Sequence, residues 1–469
     1  MSDTIAAIAT GAVVSAVGIV RVSGSSALTV ADSVFCATNG VRLKDVECRK
    51  MYYGEIKGQG DGSCLDLCLC TVSRAPNSYT GEDTVEFHCH GSLVILTEVL
   101  QTLFKHGVRQ ALPGEFTKRA FLNGRMDLTQ AEAVIDLIEA ETPVIAKNAV
   151  GQLRGAVGIK LDSLYTQLVD IMSHFHAVID YPDEDIDEFE IKNYLAKLHN
   201  IKDELQQMLD THERGKILKD GIPTAIIGRP NTGKSSLLNA LLGYERAIVT
   251  DVAGTTRDTI EEKVLVGNVL LRLIDTAGLR HTNDEIEKLG VERTLAVLSG
   301  SGLVLLVLDG SEPLICEDYD ALRSIPPDIP KIAVVNKSDL PAVLEDSELS
   351  GLGIKYCSVS ALSGEGLSSL DEEIQNLFPM FERLFEHEGL NLQGHNALGG
   401  LITNVRQAEA ISRALHSLVS AINALTDSVT PDAVLSDIEI TLTAIGEITG
   451  KTIREDIVSR IFERFCVGK

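Results

Sequence analysis

The chain has 469 residues, of which 44% are hydrophobic, and a formal net charge of −25. This length exceeds what a single hydrophobic core usually serves, so we expect two to four domains. The excess of carboxylates argues against a broad nucleic-acid-binding surface, and any contact with RNA has to use a local patch or a partner's surface.

Residues 1–120 show the alternation of apolar and polar residues that is typical of strands, followed by a helical spacing. The predicted strands are Ala16–Val22, Met51–Ile56 and Leu65–Val72, and the predicted helix is Ser92–Phe104. The apolar start of the chain lacks the basic residues that open a secretory signal, and nine cysteines show no disulfide-like spacing. We therefore predict a mixed α/β N-terminal domain in a cytoplasmic protein.

From Asp127 onward the apolar residues follow a helical spacing, and Asp127 with Gln130 can form a capping box. Further helical patterns cover residues 192–209, 401–425, 431–448 and 454–465. Between them, residues 221–378 alternate strand and helix patterns, as in a doubly wound sheet. The economical interpretation is one helical domain, residues 121–220 and 379–469, into which a module of residues 221–378 is inserted.

Residues Gly228–Ser235 form a complete G-x-x-x-x-G-K-S phosphate loop. A strand pattern precedes it and a helix pattern follows it, which argues against a Gly-Pro turn that matches by chance. Lys234 would reach the outer phosphates, and the Ser235 hydroxyl would ligate Mg²⁺. The nucleotide-binding residues expected here are Asn231, Thr232, Gly233, Lys234, Ser235 and Ser236.

Three further signatures follow the loop in the order of a GTPase, each at the end of a strand pattern. Asp339 can accept hydrogen bonds from the N1–H and amino groups of guanine, whereas adenine would leave that carboxylate unpaired. Together with a switch-like segment at Gly254–Asp258, these signatures predict GTP binding and hydrolysis on a mostly parallel sheet. The residues concerned are Asp275, Thr276, Ala277, Gly278, Asn336, Lys337, Asp339, Ser360 and Ala361.

The chain departs from Ras-type GTPases at Leu279, where those enzymes carry a water-positioning glutamine. Leucine cannot orient water, so another group has to do so. Glu287 is one candidate, and Asn231 could help to hold a monovalent cation near the phosphates. The alternative for Glu287 is a solvated helix carboxylate.

The C-terminal residues are Phe465–Lys469, with Cys466 on a short tail after a helix pattern. Such a thiol could serve as a nucleophile or an acid. It could equally be incidental, because nothing near it in the sequence clearly lowers its pKa.

Six motifs together resemble the tRNA modification GTPase MnmE (TrmE) family, and the resemblance extends over essentially the whole chain. They are Ile19–Gly24, Pro76–Asp83, Pro113–Phe116, Arg119–Asn123, Asp127–Ala133 and Phe465–Lys469. The resemblance implies a potassium-activated GTPase that forms a homodimer through its N-terminal domain. Potassium would take the place of an arginine finger, and the family's catalytic glutamate matches Glu287.

The resemblance also implies the ligands of the GTPase site. Mg²⁺ would be held by Ser235 and Thr256. K⁺ would be held by Asn231, Thr250, Val252 and Thr255, and the same segment, with Asp251, Ala253 and Gly254, would line the nucleotide. The catalytic residues expected on this basis are Glu287, Asp275, Lys234 and Cys466.

The N-terminal domain of this family binds folate and resembles the aminomethyltransferase fold. Arg21, Glu86, Arg125 and Lys469 match residues near a 5-formyl- or methylene-tetrahydrofolate. Arg125 stands where many relatives have lysine, and Thr10–Gly18 lacks the family's Pro-Pro-Gly-x-Gly-Gly run. With an FAD-dependent partner, MnmG (GidA), such proteins attach an aminomethyl or carboxymethylaminomethyl group to C5 of the wobble uridine in the tRNA anticodon loop.

Two other classes of function stay open at this point. A regulatory or ribosome-assembly GTPase would act as a switch without RNA chemistry, and we would expect an appendage rich in lysine and arginine, which the sequence does not show. A folate-dependent transferase with an accessory GTPase would act on a small amine or a protein.

Overall fold

A computed structural model describes residues 3–58, 62–180, 188–244, 262–267, 269–274, 298, 300–379, 400–427, 431–453, 455–463 and 465–468. The chain divides into two compact units. The first consists of Met1–Ile138, Gln152–Asp203 and Ala410–Lys469, and the second of Glu139–Gly151 and Glu204–Glu409. Among the described residues, no helix combines the length and the apolar character that a membrane span needs.

The strands form two sheets. They are β1 (Ile5–Ile8), β2 (Ser15–Ser23), β3 (Phe35–Ala37), β4 (Tyr52–Lys57), β5 (Cys64–Ser73), β6 (Thr84–Gly91), β7 (Arg109–Gln110), β8 (Ile222–Ile227), β9 (Glu262–Val266), β10 (Val269–Leu273), β11 (Leu303–Asp309), β12 (Lys331–Asn336) and β13 (Lys355–Ser358). The first unit holds a seven-stranded sheet in the order β3-β4-β5-β6-β2-β1-β7, and the second a six-stranded sheet in the order β13-β12-β11-β8-β10-β9.

The helices follow the apolar spacings in the sequence. They are α1 (Ala27–Val34), α2 (Leu93–Lys105), α3 (Glu115–Leu122), α4 (Leu128–Ile138), α5 (Pro143–Leu153), α6 (Ala156–Asp180), α7 (Glu188–Asp220), α8 (Lys234–Tyr244), α9 (Cys316–Ser324), α10 (Asp346–Gly351), α11 (Leu367–Leu377), α12 (Val405–Thr426), α13 (Pro431–Thr449) and α14 (Glu455–Phe462). The predicted capping box precedes α4: the Asp127 N–H donates to Gln130 Oε1 at 2.9 Å, and the Gln130 N–H donates to Asp127 Oδ1 at 2.8 Å.

The seven-stranded sheet buries one face and exposes much of the other. On β5 the side chains of Cys68, Cys70 and Val72 are buried, whereas Leu67 and Leu69, which alternate with them, are exposed. This is the period of two expected for a half-buried antiparallel strand. The core beneath the sheet is completed by apolar residues of α1 and α2. The sequence prediction of a mixed α/β N-terminal region is thus confirmed.

The six-stranded sheet is parallel except for its edge strand β9, which pairs antiparallel with β10. All seven residues of β11 are buried, as expected for a parallel strand covered on both faces. In such a sheet the loops at the carboxyl ends of the strands form the ligand site. The mostly parallel sheet predicted for this region is therefore confirmed, while the domain boundaries stay predictions.

Candidate functional site

The phosphate loop connects β8 to α8 and owes its curvature to residues with positive φ. Gly228 has φ of 146°, Asn231 of 65° and Gly233 of 96°. A Cβ atom on Gly228 would lie 2.3 Å from the Val307 carbonyl oxygen, and one on Gly233 would lie 2.0 Å from Asn336 Nδ2. Only glycine allows this approach, so the loop lies directly against the backbone of β11 at Gly228 and against the Asn336 side chain at Gly233.

Lys234 is held inside this loop. Its Nζ donates to the carbonyl oxygens of Gly228 at 2.9 Å and of Arg229 at 2.7 Å, and burial lowers the pKa of the ammonium group. Lys234 opens α8, and Ser235 and Ser236 follow it in the first turn. Backbone N–H groups at a helix N-terminus favour anions, so the loop and the helix end have the geometry of the predicted phosphate site.

Asn336 joins the phosphate loop to the predicted base-binding turn. Its Nδ2 donates to the Thr232 carbonyl oxygen at 2.8 Å, and its Oδ1 accepts the Ala361 N–H at 3.0 Å. On the same side, Ser360 donates through Oγ to Asp339 Oδ1 at 2.6 Å. The structure therefore brings together the phosphate loop, the Asn336–Asp339 motif and the Ser360–Ala361 turn, and the Ser360 hydroxyl fixes the Asp339 carboxylate.

A carboxylate that the sequence analysis missed holds Lys337. Asp309, the last residue of β11, forms an ion pair with Lys337 Nζ and accepts two hydrogen bonds from Ser311. Burial by itself would raise the pKa of Asp309, but the bonds from Lys337 and Ser311 outweigh it and lower that pKa. The sequence did contain a signal for Asp309, because it is a charged residue at the carboxyl end of an apolar strand, where ligand sites of such sheets lie.

In the first unit, the antiparallel register of β2 and β6 places Arg21 opposite Glu86. Arg21 Nε donates to Glu86 Oε1 at 2.7 Å, and its guanidinium carbon lies 5.4 Å from the ring centre of Tyr79 and 5.5 Å from that of Phe116. Burial raises the pKa of Tyr79, whose hydroxyl is 2.9 Å from Thr117 Oγ1. The result is a half-buried ion pair flanked by aromatic rings.

The C-terminal tail reaches the same part of this unit. The Gly114 N–H donates to the Cys466 carbonyl oxygen at 3.3 Å, and the Cys466 thiol is exposed. Gly468 has φ of 103°, and a Cβ there would lie 2.2 Å from the Ile8 carbonyl oxygen. Gly114 directly precedes α3, which carries Phe116, so the tail packs beside the helix whose Phe116 ring contacts Arg21.

The exposed residue Arg125 contacts the loop that carries Tyr79. A Cβ on Gly81 of that loop would lie 3.3 Å from Arg125 Cγ, and Asn123 Nδ2 donates to the Thr80 carbonyl oxygen at 2.7 Å. Two of the predicted folate residues, Arg21 and Arg125, therefore border the same Pro76–Asp83 loop.

A buried arginine that the sequence analysis did not single out fixes this arrangement. The Arg119 side chain is 9% exposed and contacts Asp3 Oδ1 at 2.8 Å, Glu82 Oε2 at 3.0 Å and Glu115 Oε1 at 2.9 Å. Burial by itself would raise the pKa of Glu115, but hydrogen bonds from Arg109, the Leu112 N–H and Arg119 outweigh it and lower that pKa. This network ties α3 to the Tyr79 loop.

Comparisons with known proteins cover almost the entire chain. The family model of the GTP-binding protein TrmE N-terminus matches residues 4–125, and that of the MnmE helical domain matches residues 128–466. The tRNA modification GTPase MnmE of Thermoanaerobacter pseudethanolicus is 42% identical, with 100% of this chain and 99% of that protein aligned. The chain belongs to the MnmE family.

A second MnmE relative, from Clostridioides difficile, is 39% identical over 100% of both chains. Among solved structures, the G domain of the T. maritima FeoB iron transporter is 30% identical, and the match covers 33% of this chain and 96% of that domain. Its TM-score is 0.25, which is too low to support the family assignment. The MnmE matches confirm the family resemblance that the sequence motifs indicated.

Several residues that the sequence motifs or the family resemblance assign to the sites lie outside the described residues. They comprise the segment Thr250, Asp251, Val252, Ala253, Gly254, Thr255 and Thr256, the motif Asp275, Thr276, Ala277 and Gly278, the candidate catalytic residue Glu287, and Lys469. Their roles stay predictions.

Proposed function

We propose that this chain is a potassium-activated GTPase of the cytoplasm that works with the FAD-dependent partner MnmG. Together they would add an aminomethyl or carboxymethylaminomethyl group to C5 of the tRNA wobble uridine, with a tetrahydrofolate one-carbon unit. The observation that supports this most directly is Asn336, which bonds both the phosphate loop and the Ser360–Ala361 turn. Phosphate binding and guanine recognition thereby share one rigid support.

The proposed nucleotide site uses hard oxygen donors, which suit both Mg²⁺ and K⁺. Ser235 and Thr256 would hold Mg²⁺, and Asn231 with Thr250, Val252 and Thr255 would hold K⁺. Bound metal ions would neutralise the charge that develops on the phosphates. Lys234 would bind the outer phosphates, Asp275 would support the Mg²⁺ shell, and Glu287 would orient the attacking water.

The proposed folate site surrounds the Arg21–Glu86 pair. A carboxylate at Glu86 can pair with the N–H groups of a pterin, and the cations Arg21, Arg125 and Lys469 can pair with glutamyl carboxylates. The half-buried ring of Tyr79 beside Arg21 offers a flat apolar surface to a planar heterocycle, and the fully buried Phe116 supports Arg21 from the core. Tetrahydrofolate would supply the carbon that is attached to uridine.

An exposed apolar face on the seven-stranded sheet supports the proposed homodimer. Val17, Tyr53, Leu67 and Leu69 are between 40% and 53% exposed. They lie on β2, β4 and β5, on strands whose intervening residues form the core. Tyr53, Leu67 and Leu69 are neighbours on β4 and β5, and His88 and His90 of β6 lie between them and Val17. Exposed apolar residues grouped on a sheet can form a self-complementary interface with a second copy.

The proposed chemistry is tested by nucleoside mass spectrometry of tRNA from cells that lack this chain. We expect the wobble modification to disappear and to return with the wild-type chain. A Cys466→Ser variant should keep GTP turnover but fail to restore the nucleoside, if the exposed thiol takes part in the chemistry. Unchanged tRNA together with defective ribosomal subunits would contradict the proposal and favour a regulatory switch. If the Cys466→Ser variant restores the modified nucleoside, only the proposed role of Cys466 is contradicted.

A further inference from the structure

The side chain of Arg229, the second residue of the phosphate loop, is anchored outside the loop. Its Nη2 donates to Glu312 Oε2 at 2.7 Å, just after β11. Its Nε lies 3.4 Å from Asp318 Oδ1, at the start of α9. Although Glu312 is largely exposed, the Arg229 side chain is only 15% exposed and that of Asp318 only 4%. Two carboxylates therefore hold one half-buried guanidinium.

Asp318 has two separate tasks. Its Oδ2 accepts the Ile315 N–H at 3.1 Å and so caps α9. Its Oδ1 faces Arg229 Nε, and both atoms are buried without a hydrogen bond in the part of the chain that the structure describes. Arg229 Nε and Asp318 Oδ1 are a donor and an acceptor 3.4 Å apart. A small movement of either side chain would let them form a hydrogen bond.

The backbone of Arg229 belongs to the nucleotide site itself. Its carbonyl oxygen accepts Lys234 Nζ at 2.7 Å and Thr232 Oγ1 at 3.0 Å. The Lys234 ammonium group has three N–H donors, and its bonds to Gly228 and Arg229 use two of them, so the third can reach a phosphate while the Arg229 carbonyl still positions the ammonium. The loop therefore depends on contacts that fix the backbone of Arg229. The anchored side chain is one of them. The turn that supplies Glu312 also supplies Asp309, which pairs with Lys337 of the base-binding loop.

We infer that Arg229 is a positioning residue for nucleotide binding. Its ion pairs with Glu312 and Asp318 fix the backbone of Arg229, whose carbonyl oxygen positions the ammonium group of Lys234 for the nucleotide. The turn after β11 then supports both the phosphate loop and the guanine-recognition loop. Because the pairs act on the loop rather than on the reacting atoms, they affect the affinity for GTP and GDP and leave the hydrolysis step largely unchanged. This inference rests on the proposed GTPase function.

The test compares steady-state GTP hydrolysis by the full-length wild type with that of two variants. Arg229→Met keeps the aliphatic stem without the charge. We expect it to raise KM roughly tenfold, to leave kcat within about twofold and to speed the release of a fluorescent GDP analogue. Arg229→Lys should recover part of the loss, because an ammonium group can still reach one carboxylate.

Asp318→Asn separates anchoring from helix capping. Asparagine keeps an oxygen for the Ile315 N–H but no longer attracts Arg229, so KM should rise while the melting temperature changes little. The matched control is Arg323→Met, which removes an exposed arginine from the same helix, where its side chain is 78% exposed. This control should match the wild type in KM and kcat.

The inference would be overturned if the Arg229 and Asp318 variants had the same KM as the control. It would also be overturned if kcat fell at constant KM, because Arg229 would then act on the transition state. A lower melting temperature with unchanged KM would assign the cluster to stability only and would also overturn it. A wild type that shows no GTP turnover would contradict the proposed function itself, which keeps the two failures distinct.

Discussion

The two sheets place their predicted site residues in different ways. In the six-stranded sheet, the predicted site residues lie in loops at the carboxyl ends of parallel strands, and each loop is a continuous stretch of sequence. In the seven-stranded sheet, Arg21 and Glu86 are 65 residues apart and meet because β2 and β6 pair in a particular register. The first site depends on backbone conformation, and the second depends on side chains that tertiary structure brings together.

This difference predicts different sensitivities to mutation. The phosphate loop should not tolerate even one methyl group where its backbone contacts neighbouring strands. The Arg21 region should tolerate small changes of shape but respond to loss of charge. Each prediction below tests one side of this contrast.

The largest effect is expected for Gly233→Ala. The new methyl group would lie 2.0 Å from Asn336 Nδ2, at a φ of 96° that alanine rarely adopts. Strain of about 1–3 kcal/mol, together with displacement of Asn336, should weaken GTP binding by at least roughly 100-fold in a titration with a fluorescent nucleotide. The control is Gly243→Ala in α8, whose Cβ would meet nothing within 4 Å. Normal binding by Gly233→Ala would show that the loop is less constrained than described.

An intermediate effect is expected for Arg21→Met. Loss of a charge-assisted hydrogen bond of about 1.5–3 kcal/mol should weaken binding of 5-formyl-tetrahydrofolate by roughly 10- to 100-fold in isothermal titration calorimetry. Arg21→Lys keeps the charge and should lose less, and both variants should retain the wild-type KM for GTP. Unaltered folate affinity in Arg21→Met would remove this residue from the proposed site.

The smallest effect on ligand binding, but a clear one on stability, is expected for Arg119→Met. The variant removes the Arg119 cation from the half-buried Glu82 and Glu115, while Glu115 keeps its ion pair with Arg109, at a cost of about 3 kcal/mol in the free energy of unfolding near pH 7. Hydrogen bonds from Arg109 and then Arg119 lower the pKa of Asp3 in the folded protein. Burial by itself would raise the pKa of Glu115, but bonds from Arg109, the Leu112 N–H and Arg119 lower it, so Arg119 accounts for part of both shifts. Their contribution is therefore complete above the unfolded pKa values near 4 and is lost as the pH falls through the lower folded values.

Urea unfolding of wild type and Arg119→Met should accordingly give a difference that is largest at neutral pH and shrinks below about pH 4. A difference that stays constant down to strongly acidic pH would mean that Arg119 stabilises the fold by packing rather than by charge.

The same contrast explains what could be predicted from the sequence. The phosphate loop, the Asn336–Asp339 motif and the capping box of Asp127 and Gln130 are local, so their patterns indicated both residues and geometry. The partners of Arg229 and Arg119 come from distant segments, and only the spacing of Glu115 and Arg119 on one helix was visible. Arg21 and Glu86 were identified by family resemblance, because strand register cannot be derived from either residue alone.

The central claim is that an alkali ion, held in part by Asn231, supports GTP hydrolysis in this loop. Asn231→Gly keeps the positive φ that the loop requires and removes the side chain with its carbonyl oxygen. We predict that wild-type GTP turnover is at least about tenfold faster in potassium than in sodium at equal ionic strength, and that Asn231→Gly loses this preference. Equal wild-type rates in the two salts would contradict the account.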